Sequence, residues 1–189
     1  MTSTFRKGGI VASILLIALG IGALVIGISG RETVHSDLAR EQIVGTPDST
    51  IPNQLVDTGS EAEAFAAVIR KHTLEATGGK TYAQMPQYID ASGKGTSDKA
   101  AAGKDPKTGA PTSNPARQIW VTETALTTAL NTAYFAESMA TFVAAIGLAL
   151  LLVGIGFLVL SLKVLRQPSA AEQSERRASA AAKVAVGAA

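Results

Sequence analysis

Two uncharged apolar stretches constrain this chain more than anything else in it. Gly8 to Gly30 and Ala140 to Leu162 each run 23 residues without Asp, Glu, Lys or Arg. At 1.5 Å of rise per residue, either is roughly 34 Å long as a helix, enough to cross a hydrocarbon core of about 30 Å. Their internal glycines (Gly20, Gly22 and Gly27; Gly147, Gly154 and Gly156) are compatible with membrane helices, where glycine is common. The expected fold is a mainly α membrane protein. A cytoplasmic N-terminus (1–7) leads to transmembrane helix 8–30. A small, mostly helical extracytoplasmic domain (31–139) joins it to transmembrane helix 140–162, and a basic cytoplasmic tail (163–189) follows.

The first stretch has the basic start of a signal peptide, Arg6 and Lys7. Its apolar run exceeds the usual 7–15 residues (an approximate range) and no A-x-A cleavage site follows, so it is read as an uncleaved anchor. Orientation follows the positive-inside rule. Residues 31–139 hold ten Lys/Arg against thirteen Asp/Glu, whereas the tail holds five basic and two acidic residues. Both termini are therefore expected in the cytoplasm and the middle outside. Tyr134 and Phe135 sit where an outer aromatic belt would lie, and Phe5 at the inner edge of the first span.

Within the middle segment, Thr33 to Arg40 extends the first helix. Glu41 to Val44 reads as a short strand, and Ile51 to Val56 as a second extended stretch broken by Pro52. Ser60 and Glu63 match a capping box, and Phe65, Ile69, His72 and Ala76 follow at helical spacing. Gly78-Gly79 closes the run, predicting a helix over 61–77. From Pro86 to Ser113 the only aliphatic residue larger than Ala is Ile89, so 86–113 is expected to be a flexible loop. Asn114 as N-cap and Pro115 as first helical residue start a second helix that continues into 140–162. Its faces carry Ile119, Leu126, Leu130 and Ala133, with Trp120 and Tyr134 to one side. The amphipathic pattern predicts packing on the 61–77 helix.

Composition narrows the chemistry. No cysteine excludes disulfides, thiolate metal sites and a cysteine nucleophile. Two histidines, His35 and His72, exclude any site needing three imidazoles. Gly79-Lys80-Thr81 has the ending of a P-loop, but the full pattern needs glycine where Leu74 stands, and these glycines follow a helix rather than a strand. They are read as a helix cap. His72 and Glu75 share a helix face, yet a mononuclear site needs about three protein ligands and nothing brings His35 to them. There is no G-x-S-x-G, and no ionisable residue lies inside either span to serve transport. No cofactor, nucleic-acid partner or small-molecule substrate is expected. Small residues at four-residue spacing, Ala18 with Gly22, Ala23 with Gly27, Ala140 with Ala144 and Ala145 with Ala149, are candidate helix-packing positions. Arg176-Arg177-Ala178-Ser179 matches a basophilic kinase site, but in a basic tail it is read as an orientation and lipid-attraction feature. The candidate interaction surface comprises His72, Glu75, Gly78, Gly79, Lys80, Tyr82 and Trp120.

The run His72-Thr73-Leu74-Glu75-Ala76-Thr77-Gly78-Gly79-Lys80-Thr81-Tyr82-Ala83 resembles small two-span membrane proteins of actinobacteria. That family is often catalogued as aromatic ring-opening dioxygenase. The likeness extends to Arg6-Lys7-Gly8 and Asn114-Pro115-Ala116-Arg117, covers most of the chain, and departs at about 86–113, which reads as an insertion. The resemblance implies a high-GC Gram-positive source and a plasma-membrane location. It carries over no functional residues, and two histidines in a thin, weakly apolar domain do not fit the iron chemistry of ring-opening oxygenases. The expected function is a non-enzymatic accessory or scaffold subunit of a cell-envelope complex, bound to another membrane protein or to itself. An envelope sensor or adaptor, with a ligand on the outer domain and a signal through the basic tail, is the alternative. A metal-dependent oxygenase is the remote one.

Overall fold

A computed structural model describes residues 2–164, 173–175 and 177–179. The protein is mainly helical. The order is α1 (Thr2–Arg40), α2 (Gly59–Ala76), a 3-10 turn (Tyr82–Gln84), β1 (Tyr88–Ile89), β2 (Gly95–Thr96) and α3 (Pro115–Val159), which ends in a π-helical turn (Leu160–Val164). Both α1 and α3 are long and apolar enough to cross a membrane. Arg166, Arg176 and Lys183, which contribute to the expected basic tail, lie outside the described residues. The chain forms two compact units, one of residues 2–26 with 143–164 and the other of Gly27–Phe142.

In the first unit, α1 and α3 run antiparallel in close contact. A Cβ on Gly20 would fall 2.6 Å from the Leu151 nitrogen, one on Gly147 2.7 Å from the Leu24 nitrogen, and one on Gly154 2.8 Å from Ile17 Cγ1. A Cβ on Gly9 would collide with Ser161 Oγ. Ser13 and Ser161 are buried, and Ser13 Oγ donates to the Gly9 carbonyl at 2.6 Å. The seam therefore repeats every seventh residue: Ser13 and Gly20 on α1; Gly147, Gly154 and Ser161 on α3. This corrects two of the four-residue pairs, Ala18 with Gly22 and Ala145 with Ala149. Ala18, Ala145 and Ala149 are exposed, and Gly22 meets nothing within 4 Å. Ala23 does reach the seam at Gly147, and Ala144 is half-buried. The reason is angular. A four-residue step overshoots one helical turn by about 40°, whereas a seven-residue step drifts by only about 20°. Only the longer repeat stays on one line of contact. The two remaining positions belong to the second unit, where Gly27 is buried and the Ala140 Cβ lies 3.2 Å from where a Gly30 Cβ would be.

In the second unit, α2 packs between the extension of α1 and the first half of α3. Its cap is Thr58 with Glu61 rather than Ser60 with Glu63. Glu61 N–H donates to Thr58 Oγ1 at 3.3 Å, and Thr58 N–H to Glu61 Oε2 at 3.0 Å. Gly59 is then the first helical residue. It presses on α3, where a Cβ would fall 2.9 Å from Tyr134 Cα, so the close approach fixes the helix start two residues earlier than 61. The core joins Leu38, Val56, Ala62, Ala66 and Leu130, with Val34, Phe65, Ile69 and Ala133 among the half-buried residues around it.

The two expected extended stretches do meet, but as a single antiparallel bridge, Val44 with Leu55. Glu41 and Gln42 belong instead to the turn that ends α1, with Gln42 at φ 52°. Segment 86–113 has more structure than its composition predicts. Tyr88 pairs with Thr96 and Ile89 with Gly95, and Tyr88 also bridges to Ser113. Asp90 Oδ1 accepts from the Ser92 and Lys94 N–H groups, and Asp105 Oδ1 from those of Lys107 and Thr108. Side-chain-to-backbone bonds of this kind hold turns without apolar burial, which a composition argument does not count.

Candidate functional site

The His72–Ala83 run is the C-terminal end of α2 and the turn that leaves it. Thr77 is the C-cap, and Gly78 and Gly79 adopt left-handed conformations at φ 62° and 75°. Gly79 N–H donates to the Leu74 carbonyl at 2.7 Å and Gly78 N–H to the Glu75 carbonyl at 3.2 Å, the pair of bonds that defines a Schellman motif. The buried Thr77 hydroxyl is 2.8 Å from both the Thr73 and Lys80 carbonyls. The Lys80 carbonyl also accepts from Trp120 Nε1 at 2.9 Å. The glycines thus cap a helix and the turn docks on α3.

The proposed surface residues do not form one surface. Trp120 is 4% exposed and anchors the turn from below, with the Arg70 guanidinium 5.4 Å from its ring centre. It is a packing residue, because an indole beside a loop buries its rings and spends its N–H on the nearest carbonyl. Glu75, Gly78, Gly79 and Lys80 are exposed. Tyr82 is exposed under Arg117, whose guanidinium lies 3.9 Å from the ring centre. His72 has a partner the spacing does not reveal: its Nε2 lies 2.9 Å from Asp48 Oδ2. Lys71 donates to the same oxygen at 2.7 Å and Thr46 to Asp48 Oδ1 at 2.8 Å. Hydrogen bonds from Lys71, then His72 and Thr46, hold the Asp48 carboxyl well below the usual carboxylate range.

The other histidine belongs to a separate cluster. Glu137 Oε1 is 3.0 Å from His35 Nε2 and accepts from Arg31 Nη2 at 3.2 Å, while Oε2 accepts from Gly59 N–H. Burial acts most strongly on this carboxyl and would raise its pKa. The bonds from His35, Gly59 and Arg31 outweigh it, and the group sits below its ordinary value. A third carboxylate, Glu123, is 4% exposed, 3.6 Å from Arg70 and bonded to Thr124 Oγ1. Asp48, Glu123 and Glu137 have no signature in the sequence because, apart from Thr46 and Thr124, every partner comes from another segment. Among the described residues, no three His, Cys, Asp or Glu side chains gather closely enough to hold a metal.

The most distinctive feature of the second unit is an open apolar groove of about 770 Å³. Val34 and Leu38 of α1, Ile43 after it, Phe65 of α2, and Leu126 and Leu130 of α3 line it, with Asp37 and Glu41 at the edge. Sequence spacing placed Leu126 and Leu130 on a helix face and Phe65 on another, without showing that they border one space. Its size suits a small-molecule or single-chain ligand, for which sites run about 300–1,000 Å³. No family model matches this chain, and no curated protein or solved structure matches it either.

Proposed function

We propose that this chain is a non-enzymatic integral membrane protein whose outer domain is a binding platform, serving as an accessory or scaffold subunit of a membrane or cell-envelope complex. In this reading 8–30 and 140–162 cross the plasma membrane, both termini are cytoplasmic, and 31–139 lies outside. The observation that carries it is the groove, a preformed apolar recess in a unit whose ionisable clusters are engaged in ion pairs and caps. Support for the membrane part comes from the first unit. Large apolar side chains such as Leu15, Leu19, Leu152 and Ile155 point outward from α1 and α3, where only lipid or another apolar helix would stabilise them. The likeness of the His72–Ala83 run to two-span actinobacterial membrane proteins agrees with this topology.

The test is purification of the full chain in mild detergent followed by native mass spectrometry. A complex of fixed stoichiometry, with another protein or with further copies of this chain, is the expected outcome. A bare monomer under every extraction condition overturns the subunit assignment.

A further inference from the structure

We infer that the groove in Gly27–Phe142 seats one acyl chain of a membrane lipid whose headgroup carries an ammonium, as in phosphatidylethanolamine. This rests on the binding-platform reading above and names the occupant.

The first argument is the lining. Leu38 and Leu130 are core residues, and Val34, Phe65, Ile69 and Ala133 pack on that core while also facing the groove. Its floor is thus fixed by the fold and does not depend on a ligand. Val44 and Leu126 remain 50% and 49% exposed on its walls. Covering them with hydrocarbon is favourable, at about 25 cal/mol per Å².

The second argument is depth, and it selects lipid over a soluble partner. Within this unit Gly30 and Ala140 lie side by side. They are the residues at which the two uncharged apolar stretches end. Val34 lies one helical turn beyond Gly30, and Ala136 one turn before Ala140. At 1.5 Å per residue the groove opens only about 6 Å from that boundary, where acyl chains meet headgroups.

The third argument is charge. No Lys or Arg lines the groove, whereas Asp37 and Glu41 do. Asp37 is paired with Arg40 at 3.2 Å. With Asp37 neutralised by Arg40, Glu41 leaves the edge net negative, which favours an ammonium over an anionic headgroup.

The experiment uses the full chain in phosphatidylglycerol vesicles doped with phosphatidylethanolamine that carries a photoreactive diazirine on one acyl chain. Cross-linked residues are mapped by mass spectrometry. Adducts on Phe65, Ile69 or Leu130 are expected. Ala129→Trp, on an exposed lining position, should cut them roughly tenfold, equivalent to about 1.4 kcal/mol of occupancy. Adducts on the lipid-facing Leu15 and Leu152 should not change. Thr132→Trp, also exposed on the lining, repeats the test should Ala129→Trp misfold. The same diazirine chain on phosphatidylglycerol should label the groove less; equal labelling overturns the headgroup assignment. Adducts confined to 8–30 and 140–162 overturn the acyl assignment. If in that case Ala129→Trp strips a co-purifying protein, the platform reading stands with a protein occupant. If nothing is lost, both readings fall.

Discussion

Glu137 is the residue on which three segments converge. It belongs to α3, binds Arg31 and His35 of α1, and accepts the first N–H of α2 through Gly59. Its carboxyl titrates below its ordinary value in the folded chain. A depressed carboxylate pKa means that the native state binds the proton less readily than the unfolded state. The stabilisation is thus fully present above the unfolded value, about 4.3–4.5, and is lost as pH falls through the lower, folded one. The 27–142 unit should accordingly lose stability under acid conditions below about pH 4.5. Glu137→Gln should flatten that part of the profile and cost about 1–3 kcal/mol at neutral pH, because Arg31 and the Gly59 N–H lose a charged acceptor. Proteolysis of the full chain as a function of pH reads both effects; an unchanged acid profile in Glu137→Gln would assign the loss to other carboxylates.

At the scale of elements, the α1–α3 seam makes the sharpest demand. Gly147 faces the Gly20 carbonyl and the Leu24 nitrogen, so a side chain there has no room, whereas Gly22 faces open space. Gly147→Leu should separate the helices at a cost of about 1–3 kcal/mol. For a chain of this size each kcal/mol lowers a detergent-phase melting midpoint by about 2–4 °C. Gly22→Leu should leave the midpoint within error, and equal losses from the two would refute the seam. The helices themselves were legible: charge-free blocks announced their apolar halves, and Asn114-Pro115 announced the start of α3. The α2 cap was misplaced because Thr58–Glu61 and Ser60–Glu63 have the same local pattern, and only the contact of Gly59 with Tyr134 decides between them. The turns of 86–113 are not legible in the composition because aspartate side chains, not apolar area, fix them. The groove was not legible because its walls come from residues as far apart as Val34 and Ala136. Periodicity assigns each to a face but cannot say which faces leave a gap.

At the scale of the whole molecule, the proposed topology makes opposite predictions for two exposed positions, Lys94 and Ser179. The native chain has no cysteine, so a single introduced thiol is unambiguous. Lys94→Cys should react with a membrane-impermeant maleimide on intact cells, and Ser179→Cys only after lysis. The reverse pattern would invert the orientation. The same sparseness of composition has a spectroscopic side. The chain contains one tryptophan, and it is locked beneath the α2 turn by its bond to the Lys80 carbonyl. Intrinsic emission from this molecule is thus a gauge of a single contact, the α2 turn on α3. It should sit towards the blue while that turn stays seated on α3, and shift red when the turn lifts and water reaches the indole.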